Sequence, residues 1–283
     1  MERTVVVTVD APLADLVTDR LWQLGVRAVS EVGIADGRVE VSTSVGNDDD
    51  AIARALSALD PAWSVEVRDL DASIVQVAPE FLAPTWYAPG KVCVPASLLG
   101  VWQGSEPLHT LLDADVVTVI DQGSAFGLGD HPTTRTSMAL LARLVDDGEQ
   151  TCERLLDVGC GTGVLAVLAA QLGVPTIRAI DIADAAVSST LRNAELNDVI
   201  DRIDVDTTPV ADVEGHWDVI MANILAPALI DMAGDLRRLL RPGGSLVISG
   251  ILADRHDHVL EALAPLAPVD SLTHDGWISV ELR

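Results

Sequence analysis

Over the first seventy residues the apolar positions switch back and forth between a period of two and a period of three to four. "TVVVTVD" (4–10) is short and β-branched, which predicts a strand. "APLADLVTDRLWQLGV" follows, with Leu13, Leu16, Val17, Leu21 and Leu24 at helical spacing and Gly25 as a helix stop. "AVSEVGI" and "RVEVSTSV" flank Ala35, Asp36 and Gly37, and an Asp-Gly pair is a strong hairpin signal. "DDDAIARALSALD" begins with acids and carries Ile52, Leu56 and Leu59, the pattern of a second helix with a favourable N-terminal charge. "WSVEVRDL" alternates like a half-buried strand.

The order β-α-β-β-α-β is that of the ferredoxin-like split unit, so a small α+β domain is expected over residues 1–70. Such a fold carries many unrelated functions; read alone it is a recognition or docking module. Residues 71–104 lose the periodicity. "VAPEFLAPTWYAPGKVCVPAS" is proline-rich and predicts a stiffened linker with one short strand around Lys91–Val94.

The remainder, 105–283, has a third pattern. "RLLDVGCGTGVLAVLAAQLG" is an apolar strand, a glycine turn and a helix. "TIRAIDIADAAVSSTLRNAELN", "WDVIMANILAPALIDMAGDLRRLL" and "GSLVISGILADRHDHVLEALAPL" repeat strand then helix, and "WISVELR" closes the chain as a strand. This alternation predicts a Rossmann-like α/β domain, a parallel sheet with helices on both faces.

Candidate chemistry collects at the predicted strand ends. Gly159, Gly161 and Gly163 form a G-x-G-x-G turn directly after a strand, where glycine lets the backbone bend sharply and approach a ligand. The G-x-G-x-x-G spacing of a dinucleotide site is not met from Gly159, which argues for a ligand without a pyrophosphate. Asp181 ends the next strand, 18 residues beyond Gly163, and an acid there can accept both hydroxyls of a ribose. It could instead cap the following helix, a task open to Asp184. Asn223 closes the strand "WDVIMA" and faces the same crevice; it could cap a helix or offer its amide to a ligand. Upstream, "SAFGLGDHPTTRTS" (124–137) is a glycine-bearing loop running into a helix. His131 within it reads as a structural hydrogen-bonder more than a general base. His256 and His258 are two apart on a helix, off a common face, so no metal site is expected there.

Composition narrows the function classes. Of 283 residues, 49% are hydrophobic but only 3% aromatic, so Val, Leu and Ala fill the core. Eighteen basic residues face 43 acidic ones for a net charge of -25, and Lys91 is the only lysine. Such a chain repels a nucleic-acid backbone, so direct nucleic-acid binding is not expected, whereas a basic partner suits it. The same charge also fits a solubility or salt-adaptation trait. Cys93, Cys152 and Cys160 are odd in number and lack metal-ligand spacing, which fits a reduced, cytoplasmic setting. No signal segment or membrane-length apolar run is read. The oligomeric state is not specified, and a monomer is compatible with the sequence.

"LLDVGCGTGVLAVLAAQLG", "IDIADAAVSSTLRNAELN" and "VIMANILAPAL" together resemble class I methyltransferases that use S-adenosylmethionine. More narrowly, "AFGLGDHPTTRT" before the glycine turn and "NIL" after the fourth strand resemble the bacterial ribosomal-protein methyltransferase family known as PrmA. The likeness is strong over residues 121–250 and extends to the N-terminal domain only in element order. It implies an amine N-methyltransferase acting on lysine and/or N-terminal amino groups of large-subunit ribosomal protein eleven, with the small domain recognising that substrate. It implies that Thr134, Gly159, Gly161, Asp181 and Asn223 hold S-adenosylmethionine, and that Asn223 faces the transfer centre and positions the amine. Where the family usually has "FGTGTHPTT", this chain has Leu128 and Asp130 in place of two threonines. Asp130 could put a carboxylate near a cation or cap the helix beginning near Pro132. A methyltransferase of small metabolites is the alternative enzyme. A non-enzymatic module that kept the fold is a third reading, against which the intact acid, glycines and asparagine count.

Overall fold

A computed structural model of the chain describes residues 3–22, 29–34, 37–46, 49–69, 83–100, 106–121, 125–127, 129–146 and 152–283. It divides into two compact units, Met1–Pro79 and Glu80–Arg283. The first unit runs β1 (Arg3–Asp10), α1 (Ala14–Trp22), β2 (Ser30–Gly33), β3 (Arg38–Gly46), α2 (Asp49–Ala58) and β4 (Ser64–Asp69). Its sheet has the order β2-β3-β1-β4 with every pairing antiparallel, which is the ferredoxin-like arrangement. Val5, Val7 and Val9 alternate onto one face of β1 and pack with Val41, with Ala14, Val17 and Leu21 of α1, and with Ala55 of α2. Leu56 departs from the expected stripe; it is 41% exposed, and Ala55 takes the core position. Gly37 adopts φ +73° as the hairpin requires, and the Ile34 N–H donates to the Arg38 carbonyl at 2.9 Å. Leu24, Gly25, Ala35 and Asp36 lie outside the described residues.

The second half of the expected linker is sheet. β5 (Thr85–Ala88) and β6 (Lys91–Pro95) are antiparallel, and β6 runs parallel to β7 (Val116–Ile120) after the short α3 (Leu108–Leu112). Pro84, Pro89 and Pro95 bracket these strands, where a missing N–H costs no ladder bond, so the proline content marks strand ends. Lys91 forms an ion pair with Asp146 at 2.7 Å, its side chain only 12% exposed.

The larger sheet is assembled from β8 (Arg154–Val158), β9 (Thr176–Ile180), β10 (Ile203–Asp206), β11 (Trp217–Asn223), β12 (Leu240–Leu252), β13 (Pro268–His274) and β14 (Trp277–Leu282). Its helices are α4 (Pro132–Asp146), α5 (Val164–Gln171), α6 (Asp184–Leu196), α7 (Ala226–Leu239) and α8 (Asp257–Leu263). The strand order is β10-β9-β8-β11-β12-β14-β13. Pairings from β10 through β12 are parallel, and β14 is antiparallel to both β12 and β13. The parallel run expected from the strand–helix repeats ends at the C-terminus, where Asp275 (φ +47°) and Gly276 (φ +81°) close a hairpin. Alternation along each strand splits the core. Leu155, Val219, Met221 and Val247 pack with α4 and α5, while Leu156, Ile220, Leu246 and Ile248 pack with α7 and α8.

Asp218 ties β11 to its neighbours. Its buried carboxylate accepts the Glu153 and Arg154 backbone N–H groups at 2.7 and 2.8 Å and pairs with Arg241 at 2.7 Å. Asp218→Ala is expected to lower stability by about 2–4 kcal/mol in urea denaturation, because it strands two amides and a guanidinium.

Candidate active site

The site residues converge where strand order reverses, at the C-terminal ends of β8, β9 and β11. Ligands of open α/β sheets bind at such a switch point. Gly159, Gly161 and Gly163 all have positive φ (+71°, +55° and +77°). A Cβ on Gly159 would stand 2.4 Å from Ile224 Cγ2, and one on Gly161 would stand 2.4 Å from the Phe126 carbonyl oxygen. These glycines are thus needed for packing of the chain on itself, before any ligand is considered.

Asp181 holds the turn through both carboxylate oxygens. Oδ2 accepts the Gly161 N–H at 3.1 Å and Oδ1 accepts the Ala183 N–H at 3.0 Å. Each oxygen keeps acceptor capacity for a ligand hydroxyl. The helix-capping alternative for Asp184 does not occur; Asp184 is the first residue of α6, and Ala183 precedes it without a side-chain cap. Ile182, beside Asp181, projects with 94% of its surface exposed. Sequence reasoning passed over it, although an apolar residue directly after a ribose-type acid was a visible signal.

Asn223 is not a helix cap. The following helix begins at Ala226 with Leu225 before it, so the carboxamide is left for other work. Its Nδ2 donates to Thr134 Oγ1 at 3.4 Å, which unites two residues 89 apart in sequence. Thr134 is fully buried behind that bond. Ser249 positions both partners. Its hydroxyl donates to the Thr133 carbonyl at 3.3 Å, and its carbonyl accepts the Ile224 N–H at 3.1 Å. The Ser279 hydroxyl donates in turn to Ser249 Oγ at 2.7 Å and lies 2.6 Å from Thr136 Oγ1. This buried hydroxyl chain fastens the first turn of α4 to β12 and β14.

The helix-capping reading of Asp130 is also corrected. Asp130 is exposed, and the acceptor for the Thr133 N–H is His131 Nδ1 at 3.3 Å. The same Nδ1 lies 2.8 Å from Thr133 Oγ1. The ring also stands edge-to-face with Phe126 (5.1 Å) and Trp277 (5.4 Å), so His131 is a structural hydrogen-bonder. Phe126, 47% exposed, is a further rim residue that the sequence did not single out. Leu128 lies outside the described residues.

Beneath the turn, Asp157 is 1% exposed, and its Oδ2 has no hydrogen-bond partner. Burial pushes its carboxyl up to about 7; the nearby Asp181 charge adds to this and the Ala166 amide opposes it. An unpartnered carboxyl oxygen therefore lies directly beneath the glycine turn. The three free thiols are no nucleophiles, since burial raises all of them; Cys93 and Cys152 are pushed up to about 12. Among the described residues no group of His, Cys, Asp and Glu is placed to hold a metal ion.

A parallel sheet ending in a reversed hairpin, with its glycine turn, acid and asparagine at the switch point, defines a Rossmann-like S-adenosylmethionine-dependent methyltransferase. The model of the family "Ribosomal protein L11 methyltransferase (PrmA)" matches residues 83–283, and the chain belongs to that family. A ribosomal protein L11 methyltransferase of Bacillus subtilis (strain 168) is 31% identical over 287 residues, covering 97% of this chain and 89% of that protein. One from Symbiobacterium thermophilum is 37% identical over 235 residues, covering 82% and 72%. The crystal structure of a ribosomal protein L11 methylase from Lactobacillus delbrueckii subsp. bulgaricus superposes with a TM-score of 0.59 at 29% identity, covering 71% of this chain and 97% of that one. The chain is an enzyme, and its cofactor is S-adenosylmethionine.

Two substitutions test this geometry. Between about pH 4 and pH 7 folded Asp157 keeps a proton that the unfolded chain releases, so stability falls as pH rises through that window. Asp157→Asn is therefore expected to stabilise the cofactor-free protein at pH 8 by on the order of 2–4 kcal/mol, with the gain shrinking towards pH 4 in urea titrations. Gly161→Ala must displace the Phe126 carbonyl at a positive φ; a loss of about 2–4 kcal/mol in thermal or urea melts is expected.

Proposed function

We propose that this methyltransferase acts on amino groups of ribosomal protein L11, on lysine side chains and/or the N-terminal amine. The observation that carries the reading is the likeness to the Bacillus subtilis ribosomal protein L11 methyltransferase, which covers 97% of the chain. It therefore spans the ferredoxin-like unit as well as the cofactor-binding unit. We assign substrate recognition to the first unit, and the net charge of -25 suits a basic protein partner and disfavours nucleic acid. Among the described residues no helix is long and apolar enough to cross a membrane, and three free thiols suit a cytoplasmic setting.

S-adenosylmethionine supplies a methyl group already activated on a sulfonium. The chain's task is then to bind, to align the amine in line and to exclude water. We assign the ribose hydroxyls to Asp181, the adenine face to exposed Ile182, and the close backbone approach to Gly159 and Gly161. Asn223 has its Nδ2 held by Thr134, which leaves Oδ1 to accept a hydrogen bond from the substrate amine. A lysine amine of pKa about 10.4 costs roughly 4–5 kcal/mol to neutralise at pH 7, and an N-terminal amine near 8 much less. Desolvation in the crevice lowers that cost, and a neutral carboxamide orients the amine without restoring its charge.

Incubation of the enzyme with ribosomal protein L11 and methyl-labelled cofactor, followed by peptide mass spectrometry, tests the assignment. Label on L11 amino groups is expected; label confined to small molecules would replace the protein substrate with a metabolite. Asn223→Ala is expected to slow single-turnover transfer about 100-fold or more while the calorimetric Kd for S-adenosylmethionine moves less than about threefold. Equal losses in both would remove Asn223 from amine positioning.

A further inference from the structure

β7 is the edge of its three-stranded sheet, and helix α6 supplies the partner that a strand would have provided. Asn197 accepts the Val119 N–H on Oδ1 at 2.8 Å and donates to the Val119 carbonyl at 2.6 Å. One turn earlier Asn193 does the same for Asp121, just beyond β7, accepting its N–H at 2.8 Å and donating to its carbonyl at 2.9 Å. Four residues of helix rise about 6 Å and two residues of strand about 6.6 Å, so the two carboxamides match the strand's repeat. Gln171 of α5 completes the row, with its Nε2 donating to the Val117 carbonyl at 2.9 Å.

Asn193 does one thing that Asn197 does not. Its Nδ2 also donates to the carbonyl of Thr162, in the glycine turn, at 2.9 Å. Thr162 in turn donates its N–H to the Phe126 carbonyl at 2.9 Å and its hydroxyl to the Gly127 carbonyl at 2.7 Å. Asp121 and Phe126–Gly127 are thereby both referred to Thr162, one through Asn193 and the other directly. Asn193 is fully buried, with both amide hydrogens and its oxygen in use. A buried, satisfied network of this kind has one low-energy arrangement.

We propose that Asn193 is a positioning residue for cofactor binding. It sets the glycine turn relative to the chain that leaves β7, while Asn197 two strand positions back serves stability alone. The inference rests on the cofactor and not on which protein is methylated. Coupling of this kind is reciprocal, so cofactor binding must stabilise the Asn193–Asp121 bond by as much as that bond favours the cofactor.

The full-length protein decides it. Asn193→Ala and Asn197→Ala each remove both bonds to one residue at β7 and at least one further bond, and both are expected to lower the melting temperature. Only Asn193→Ala is expected to weaken S-adenosylmethionine binding, by at least about tenfold in calorimetry, with Asn197→Ala within about threefold. Equal changes in both variants, or an unchanged Kd in folded Asn193→Ala, overturn the proposal. If Asn193→Ala does not fold, hydrogen exchange on the unmutated protein decides instead. Saturating S-adenosylmethionine is expected to slow the Asp121 amide about tenfold more than the Val119 amide, and equal slowing of the two overturns it.

Discussion

The space beside Gly161 is already taken. The Phe126 carbonyl stands where a Cβ would project, the Asp181 carboxylate holds the Gly161 N–H, and the Thr190 hydroxyl donates to its carbonyl at 3.3 Å. The strand ends of β8 and β9, the segment before α4 and the face of α6 all meet on this one residue. Their mutual distances are set by what a backbone without a side chain can tolerate. The crevice between β8 and β11 has its shape because these segments can come no closer and are bonded too well to drift apart.

Much of this was legible in the sequence, and the failures share a cause. The Asp36-Gly37 pair was recognised between two alternating runs, and the hairpin formed. Asp275-Gly276 carries the same chemistry, but "PVDSLTH" before it alternates weakly and is largely solvent-facing, so β13 was missed and with it the antiparallel end of the sheet. The glycine turn, Asp181 and Asn223 were visible because each sits at a fixed offset from a strand end. The companion of Asn223 was not. Thr134 lies buried with its hydroxyl 3.4 Å from the Asn223 amide nitrogen, a pairing across 89 residues that no local pattern records. None of Asp130, Asp184 and Asn223 caps a helix, because cap preference is a local propensity and the position before each helix falls on another residue. The Asn193–Asn197 row depends on the register of a helix against a strand some 70 residues away, which no local pattern records.

Polar atoms carry much of the specification in a chain with so few aromatic rings. Valine, leucine and alanine fill volume without fixing a unique arrangement as firmly as hydrogen bonds do. The hydroxyl chain from Thr136 through Ser279 and Ser249, the carboxylate of Asp218 and the amides on β7 each lie where an error of register would strand a buried group. Asp157 departs from this pattern: its buried Oδ2 has no hydrogen-bond partner directly beneath the glycine turn, and burial there is costly.

The ion pair of Lys91 accounts for the chain's entire stock of lysine. This chain carries one lysine, covered at the end of a strand and held to Asp146. Its exposed basic groups are guanidinium and imidazole, whose nitrogens differ in geometry and basicity from an alkyl amine. The lysine amine is thus held as one half of an ion pair beside a strand and is not a freely exposed side chain.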